Sequence, residues 1–307
     1  MFKIIQNSTH INIYINKKKI SIRKGKSQEN FYKSLKKYKY ILDDIKPIEI
    51  SNKHNDAIWI LWMQGIDNAP DIVKKCIESI KHFHPEKEII ILDYNNIKDY
   101  IDIPDYMEEK HKKGIIPAAN FSDYIRLELL AKYGGTWIDA TVLLTAKIPN
   151  KILEEDFFIP QTPNDEFIEN LPYRNLIGPP KKRKKPTKFL LASSWFIVSK
   201  PNNKIILASL KFFKEYWIKE NTLKNYFMLH LFWIYSIEND AECKQIWNKM
   251  YLMYNHYTHL IQTQMKKEYD EETFNTIQNL SFIHKLSYKH MDENNKDWLN
   301  KLLNYKF

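Results

Sequence analysis

Residues 57–92 contain two short apolar runs separated by a longer amphipathic stretch. Residues 57–63 (AIWILWM) and 88–92 (EIIIL) are almost wholly apolar, which is typical of strands buried on both faces. Between them, apolar side chains recur at helical spacing from Ile72 to Phe83, and Pro70 stands at a favoured first-turn position. The pattern predicts a βαβ unit, and such units build parallel sheets.

A second helix and strand are predicted within residues 121–144. Apolar positions from Ile125 to Tyr133 share one helical face, and the Gly134-Gly135 pair predicts the helix end. Residues 136–144, 156–160 and 194–198 then predict further strands. After Pro201 the pattern is mostly helical to about residue 275, and 281–289 predict a last short element. This order of elements predicts an α/β fold.

Composition narrows the possible functions. The chain has 307 residues and is 44% hydrophobic and 14% aromatic, so we expect it to be folded throughout. Its net charge of +10 favours anionic partners, although a solvated lysine-rich surface explains most of that charge. The sequence has no helix-turn-helix, zinc or RNA-recognition pattern, so a basic nucleic-acid-binding protein is the weaker alternative.

Cysteines and apolar segments bear on the compartment. Cys76 and Cys243 are too few for a disulfide framework or a zinc site, which favours a reducing environment. The N-terminus lacks a signal-peptide pattern, and the longest apolar stretch, 226–237, is too short to span a bilayer. We therefore expect a cytoplasmic protein that is soluble or peripheral at a membrane.

The most informative stretch is 120–141, NFSDYIRLELLAKYGGTWIDAT. Asp123 and Arg126 are three apart on the predicted helix and therefore face the same way. Alternation along the following strand predicts that Asp139 and Thr141 share a face. We expect these side chains to converge at the carboxyl end of a strand, where open α/β sheets bind ligands.

Carboxylates and an arginine fork suit a sugar nucleotide. They fix sugar and ribose hydroxyls, and a cation held by carboxylates offsets the charge that grows on a leaving diphosphate. The alternatives are a plain helical ion pair for Asp123 with Arg126 and a turn or edge acid for Asp139. An aspartate inside an apolar strand is costly to bury without a partner, which favours the ligand site.

The same segment resembles a known family. Residues 58 to about 151, roughly a third of the chain, resemble the sugar-transferase region of glycosyltransferase family 32, and more narrowly its capsular polysaccharide synthesis proteins. The matching pieces, in family order, are 58–65, Ala69-Pro70, 76–79, Ser122-Asp123 with Arg126, Leu129-Leu130 and 133–141.

The resemblance implies a GT-A nucleotide-sugar-binding fold: a mixed, mostly parallel central sheet with flanking helices. It also implies a bacterial transferase that moves a hexose, with retention of configuration, from a nucleotide sugar, with a UDP-sugar expected. The acceptor would be a saccharide or an undecaprenyl-diphosphate-linked oligosaccharide in capsule or surface-polysaccharide synthesis, at the inner face of the plasma membrane. The alternative is a catalytically weak or metal-independent protein that binds sugar nucleotides.

The resemblance also assigns the catalytic and donor-binding residues. Asp123 and Arg126 would hold donor-sugar and ribose hydroxyls, and Asp139 is the first acid of an Asp-x-Asp motif. Trp62, at the end of the first strand, would stack on the nucleotide base, although a core position is equally compatible, and Gln64 would also contact the donor.

A cation and its ligands form the second part of this assignment. The implied cation is Mn²⁺ or Mg²⁺, with Asp139, Thr141 and His284 as ligands and Lys285 on the diphosphate. Thr141 stands where Asp-x-Asp transferases have their second acid, so Asp139 alone or a lower dependence on metal is the alternative. A surface His-Lys pair is the alternative for His284 and Lys285.

Acceptor and membrane contacts depend on weaker patterns. Trp195, Asn225 and His230 are candidate acceptor residues, for which packing is the favoured alternative. The basic run 181–185 could contact membrane phosphate or a lipid diphosphate, but a solvated loop explains it more simply.

The predicted organisation is a helical N-terminal appendage, one catalytic domain and a tail. The appendage is 1–50, the catalytic domain 51–292 and the tail 293–307. Within the catalytic domain, 51–160 are the nucleotide-sugar-binding half, and 188–292 are the acceptor side with the C-terminal helices.

Overall fold

A computed structural model describes residues 2–6, 10–15, 18–163, 167–168, 170–177, 192–289 and 296–307. The basic run 181–185, a predicted membrane contact, lies outside these residues. The strands are β1 Phe2–Gln6, β2 His10–Ile15, β3 Lys18–Arg23, β4 Ile58–Leu61, β5 Ile89–Leu92, β6 Gly135–Ile138, β7 Val142–Leu144, β8 Phe157–Phe158, β9 Phe196–Ser199 and β10 Ile283–Lys285.

The α-helices, in chain order, are α1 Lys24–Ser34, α2 Tyr40–Asp43, α3 Asp71–Phe83, α4 Asp105–Lys112, α5 Ala118–Lys132, α6 Asn150–Leu153, α7 Arg174–Ile177, α8 Lys204–Lys219, α9 Met228–Asn239, α10 Ala241–Lys249, α11 Leu260–Gln264, α12 Glu271–Leu280 and α13 Lys296–Leu303. Short 3₁₀ turns cover Leu35–Tyr38, Ile66–Asn68 and Ile97–Asp99.

A five-stranded sheet in the order β5-β4-β6-β9-β8 lies at the centre of the fold. β4 pairs in parallel with both β5 and β6, whereas β9 is antiparallel to its neighbours β6 and β8. Four of the five strands therefore run in one direction, and helices flank the sheet. The prediction of a mixed, mostly parallel α/β fold is confirmed.

The predicted βαβ unit is β4, α3 and β5. β4 is buried at every position, as its continuous apolar run requires. α3 begins after Pro70 and ends at Phe83, one residue before the His84-Pro85 pair, because proline cannot continue a helix. Its buried side follows the helical period and includes Ile72, Cys76 and Ile80.

Gly134 and Gly135 join α5 to the sheet. Gly135 has φ +87°, and a Cβ there would lie 2.5 Å from the carbonyl oxygen of Ala57 on the chain leading into β4. Trp59 of β4 donates its indole N–H to the Gly134 carbonyl at 2.9 Å. The close approach therefore needs glycine, and it fixes where α5 ends relative to β4 and β6.

The predicted single strand 136–144 is two strands. β6 belongs to the central sheet, but β7 pairs with β10 in a separate antiparallel ladder. The Val142 N–H donates to the Asp139 carbonyl at 2.9 Å and closes a turn between the two strands. Asp139 and Thr141 therefore lie on a turn rather than on one face of a strand, because the chain changes sheets at Asp139.

The N-terminal region also differs from its prediction as a helical appendage. β1, β2 and β3 form an antiparallel three-stranded sheet, and helix begins at Lys24. The sequence HINIYI of β2 alternates isoleucine with other residues, a strand period that the lysine-rich surroundings obscure. From Phe31 onward the apolar side chains join the main core; the Tyr38 ring, for example, lies 5.1 Å from the Phe212 ring of α8.

The predicted tail contains an ordered helix. α13 packs on α3, and its Trp298 and Leu302 are buried, which matches an amphipathic helical period. The helical stretch predicted after Pro201 is confirmed as α8 to α12. Across the described part of the chain, no helix combines the length and the apolar character that crossing a bilayer requires.

Candidate active site

Three parallel strands end at the same edge of the central sheet. β4 is followed by Trp62, β5 by Asp93 and β6 by Asp139. The Trp62 N–H donates to the Leu92 carbonyl and the Tyr94 N–H to the Met63 carbonyl, so the segments beyond β4 and β5 stay adjacent. This edge is where open α/β sheets bind ligands.

Arg126 is the centre of the polar cluster at this edge. Its Nη1 lies 3.2 Å from Asp123 Oδ1, one turn away on α5, and its Nη2 lies 3.3 Å from Asp139 Oδ1. The guanidinium also donates to the Ser194 carbonyl at 2.5 Å and to Ser122 Oγ at 3.1 Å. The predicted convergence of Asp123, Arg126 and Asp139 is thus present in the structure.

Asp139 is held in place from several sides. Its Oδ1 accepts a hydrogen bond from the Trp137 indole at 2.9 Å, and its backbone N–H donates to the Trp195 carbonyl at 2.9 Å. Burial acts to raise the pKa of Asp139, but the neighbouring Lys285 and Arg126 outweigh it and hold the pKa at about 2. Asp139 is therefore a carboxylate at any physiological pH.

Asp123 has different surroundings. Its side chain is largely buried, and Arg126 is its ion-pair partner at the site. Burial, together with the negative charge of Asp139, raises the pKa of Asp123 to about 6, although Arg126 acts in the opposite direction. The two acids of the site therefore differ in the pH range over which they are ionised.

Lys285 closes the cluster from the C-terminal part of the chain. Its Nζ donates to Asp139 Oδ2 at 2.9 Å and to Thr141 Oγ1. β10 pairs with β7 so that Lys285 faces Val142, and the Leu286 N–H donates to the Thr141 carbonyl at 2.9 Å. The strand pairing thus delivers the ammonium directly to the Asp139–Thr141 turn.

His284 is not part of this cluster. It is fully buried, and its Nε2 lies 3.0 Å from Thr145 Oγ1. Burial lowers its pKa to about 3. Because neighbouring residues of a strand point to opposite faces, His284 cannot join Lys285 at Asp139, which corrects the predicted ligand set of Asp139, Thr141 and His284.

The remaining residues do not fit the implied divalent cation. Among the described residues, no three His, Cys, Asp or Glu side chains are grouped as metal ligands. Both oxygens of Asp139 already have donors, Arg126 and Trp137 on Oδ1 and Lys285 on Oδ2. The ammonium that bridges Asp139 and Thr141 is a donor with no lone pair, so it stands where a cation would have to bind.

An aromatic pair lies beyond the polar cluster. The rings of Trp62 and Tyr288 are 5.1 Å apart, edge to face, and the Tyr288 side chain is exposed. Trp62 is half-buried, and its indole N–H has no partner. Gln64 is exposed in the turn after β4, where its backbone carbonyl accepts a hydrogen bond from the Asn68 side chain.

The three predicted acceptor residues differ in their position relative to the polar cluster. Trp195 is buried next to Asp139, and its indole N–H has no partner. His230 lies close enough to Arg126 for that charge to add to burial in lowering its pKa to about 4. Asn225 is buried and uses its side-chain oxygen to cap the N–H of Phe227, which is a local structural contact.

Sequence reasoning did not assign Tyr288, Tyr226 or Ser194 to the site. Tyr288 lies three residues after Lys285, in a bend beyond the last strand, so its ring contact with Trp62 depends on the tertiary fold and has no signal in the local sequence. Tyr226 is about half exposed, and its partial burial together with the nearby charges of Asp123 and Asp139 raises the pKa of its hydroxyl. Ser194 contributes a backbone carbonyl, for which no side-chain pattern exists.

The chain is similar over part of its length to known glycosyltransferases. The chain is 29% identical over 116 residues to the glycosyltransferase afumC of Aspergillus fumigatus and 27% identical over 180 residues to the O-glycosyltransferase braB of Annulohypoxylon truncatum. These matches cover 34% and 52% of this chain but 29% and 37% of the relatives. Among solved structures, it is similar to the PaToxG glycosyltransferase, with 12% identity, TM-score 0.34, and coverage of 91% of this chain and 94% of that one.

A family model matches nearly the whole chain. The model describes capsular polysaccharide synthesis proteins, and it matches residues 9–305. This range includes β4 to β6, the Asp139–Thr141 turn and the strand that carries Lys285. The chain therefore belongs to the capsular polysaccharide synthesis protein family.

Proposed function

We propose that this protein is a glycosyltransferase of the GT-A class that moves a hexose from a nucleotide sugar to a hydroxyl of an acceptor. The observation that carries the proposal is the cluster of Asp123, Arg126, Asp139 and Lys285 at the carboxyl edge of the central sheet. The family match and the names of the partial relatives support the same reaction class.

Each part of the cluster suits one part of a sugar nucleotide. The Asp123 and Asp139 carboxylates accept hydrogen bonds from sugar and ribose hydroxyls, and Arg126 fixes the orientation of both acids. The Lys285 ammonium, 19% exposed, can reach an entering diphosphate. The Trp62 and Tyr288 rings offer an aromatic surface for the nucleotide base.

The finer assignments extend the proposal. They are a UDP-sugar donor, retention of configuration as in family 32, and a saccharide or lipid-linked acceptor in surface-polysaccharide synthesis at the membrane. Both carboxylates of the cluster are ion-paired, Asp123 with Arg126 and Asp139 with Arg126 and Lys285, which does not favour either as the nucleophile of a covalent mechanism. Retention would then rely on the leaving diphosphate to guide the acceptor to the same face of the sugar.

The test is a donor screen. The purified chain is incubated with UDP-, GDP- and ADP-hexoses, and release of the nucleoside diphosphate is followed together with the melting temperature. One donor is expected to raise the melting temperature and to be turned over slowly with water as acceptor. Asp139→Asn should reduce turnover by roughly 100-fold or more, since its oxygens organise the whole cluster.

The matched control is Asp99→Asn, which removes an exposed acid outside the cluster and should leave turnover unchanged. The proposal fails if none of these donors binds or reacts. Salt-sensitive, sequence-selective binding of DNA or RNA would instead support the nucleic-acid alternative.

A further inference from the structure

The Asp139–Thr141 turn already holds a positive charge that belongs to the chain. Lys285 Nζ contacts one carboxylate oxygen of Asp139 and the hydroxyl of Thr141 at once. Arg126 and Trp137 occupy the other oxygen of Asp139. All the side-chain oxygens that this turn could offer to a metal ion are thus engaged by N–H donors.

We propose that the Lys285 ammonium replaces the divalent cation at this site and that the transferase works without a metal. The inference rests on the proposed function, since it concerns how the same site stabilises the leaving diphosphate. It departs from the Asp-x-Asp arrangement, in which two carboxylates share a metal.

Charge balance supports the replacement. Two carboxylates with a divalent cation have no net charge, and neither do one carboxylate and one ammonium. Thr141, where a second acid would stand, is neutral and accepts from Lys285. Loss of the second carboxylate removes one negative charge, and replacement of a divalent cation by an ammonium removes one positive charge. The turn therefore stays neutral.

The position of Lys285 is fixed by the backbone. Its N–H donates to the Thr258 carbonyl at 2.8 Å, and the next residue, Leu286, donates to the Thr141 carbonyl at 2.9 Å. A divalent cation bound at Asp139 Oδ2 would lie within contact distance of the ammonium, and like charges at such separations repel strongly in a partly buried site. Metal and lysine therefore compete for one position.

The ammonium suits the bond changes of the reaction. The bond between C1 of the sugar and the diphosphate oxygen breaks, and its electron pair stays on that oxygen. The acceptor hydroxyl oxygen forms the new bond to C1, and its proton passes to the diphosphate oxygen and then to solvent. Negative charge grows on the diphosphate oxygen meanwhile, and a fixed ammonium stabilises it.

The first experiment uses the native chain and needs no variant. Binding of UDP, with GDP and ADP in parallel, is measured by calorimetry in excess EDTA and in excess MnCl₂, and turnover of the reactive donor is measured in both. Affinity and turnover are expected to agree within about twofold between the two conditions. Loss of turnover in EDTA that MnCl₂ restores would overturn the inference.

The second experiment changes the cation. Lys285→Ala should lower turnover about 100-fold in both EDTA and MnCl₂, because the leaving oxygen loses a positioned donor. Lys266→Ala is the matched control, since it removes an exposed lysine outside the cluster and should have no effect.

The third experiment rebuilds the acid pair. Thr141→Asp combined with Lys285→Ala should bind Mn²⁺, seen by electron paramagnetic resonance, whereas the native chain should not. Binding of Mn²⁺ by the native chain at equal strength would overturn the inference. If turnover by the native chain requires Mn²⁺, the metal-free mechanism is wrong but the transferase proposal stands. If no nucleotide binds, both proposals are wrong.

Discussion

Two cations hold Asp139, and they have opposite surroundings. Arg126, on α5, has a side chain that is 5% exposed and bonds to four groups of the protein. Lys285, on β10, is 19% exposed and bonds to the two side chains of the turn that it faces. This difference indicates that Arg126 has a structural role, part of the framework that holds the side chains of the site in place. Lys285 can exchange a protein partner for a ligand.

The partners of Arg126 explain why the folded site depends on its guanidinium. Two acids and a backbone carbonyl depend on the guanidinium, and one of these acids, Asp123, is almost completely buried. Without the guanidinium, Asp123 would remain an unpaired acid in a poorly hydrated place. Asp139 is 24% exposed even with Lys285 in place, so water could replace the ammonium if Lys285 were lost.

The largest expected effect is a difference in unfolding free energy between the variants that remove Arg126 and Lys285. Arg126→Ala should lower the free energy of unfolding by about 3–5 kcal/mol, the usual cost of removing one partner of a buried ion pair. Lys285→Ala should cost about 1–2 kcal/mol, between the values for exposed and buried pairs, because both partners are only partly exposed. Urea unfolding followed by circular dichroism measures both, and equal losses would show that the two cations do not differ in this way.

Local sequence was sufficient to predict the Arg126 side of the site. Asp123 and Arg126 are neighbours on one helix by spacing alone, and the Gly134-Gly135 pair marks the helix end. Helical period and glycine conformation are properties of short segments, so no tertiary information was needed. The βαβ unit was predictable for the same reason, whereas the mixed, mostly parallel sheet was an expectation from the family resemblance.

The Lys285 side depends on strand pairing that local sequence does not contain. Residues 136–144 are apolar enough to predict one strand, and only the pairing of β7 with β10 shows that the chain turns at Asp139. The same pairing decides that Lys285 faces the site and His284 the interior. Register is a tertiary property, so the two neighbours could not be told apart beforehand.

A smaller effect is expected for the aromatic pair of Trp62 and Tyr288, which, like Lys285, is more exposed to solvent than Arg126. Trp62→Ala should weaken binding of UDP by about 1–3 kcal/mol, the usual value of one stacked base, and should also lower the unfolding free energy somewhat, because the half-buried ring packs against the edge of the core. Calorimetry with UDP measures the loss. Trp62→Phe keeps a ring and should recover most of the affinity.

Trp59 provides the contrasting variant. It is fully buried and its indole donates to Gly134, so Trp59→Phe should destabilise the fold without a specific loss of nucleotide affinity. If Trp62→Ala and Trp59→Phe behaved alike, the ring of Trp62 would be a core side chain, which was its alternative interpretation from sequence.

The smallest effect concerns pH and contrasts the two acids that Arg126 joins. Asp123 has a pKa of about 6 and Asp139 a pKa of about 2, so between pH 5 and 7 the protonation of Asp123 changes and that of Asp139 does not. A protonated Asp123 accepts hydroxyl hydrogen bonds poorly. The value of kcat/KM should therefore level off above pH 6 and fall by up to tenfold per pH unit below it.

The origin of that bend can be assigned by substitution. Asp123→Asn removes the titrating group, so its profile should be flat across pH 5 to 7 at a lower plateau. His230 has a pKa of about 4 because it is buried and close to the charge of Arg126, so it cannot supply a bend near pH 6. A bend that persisted in Asp123→Asn would mean that another group titrates near pH 6 and that the protonation of Asp123 does not control turnover.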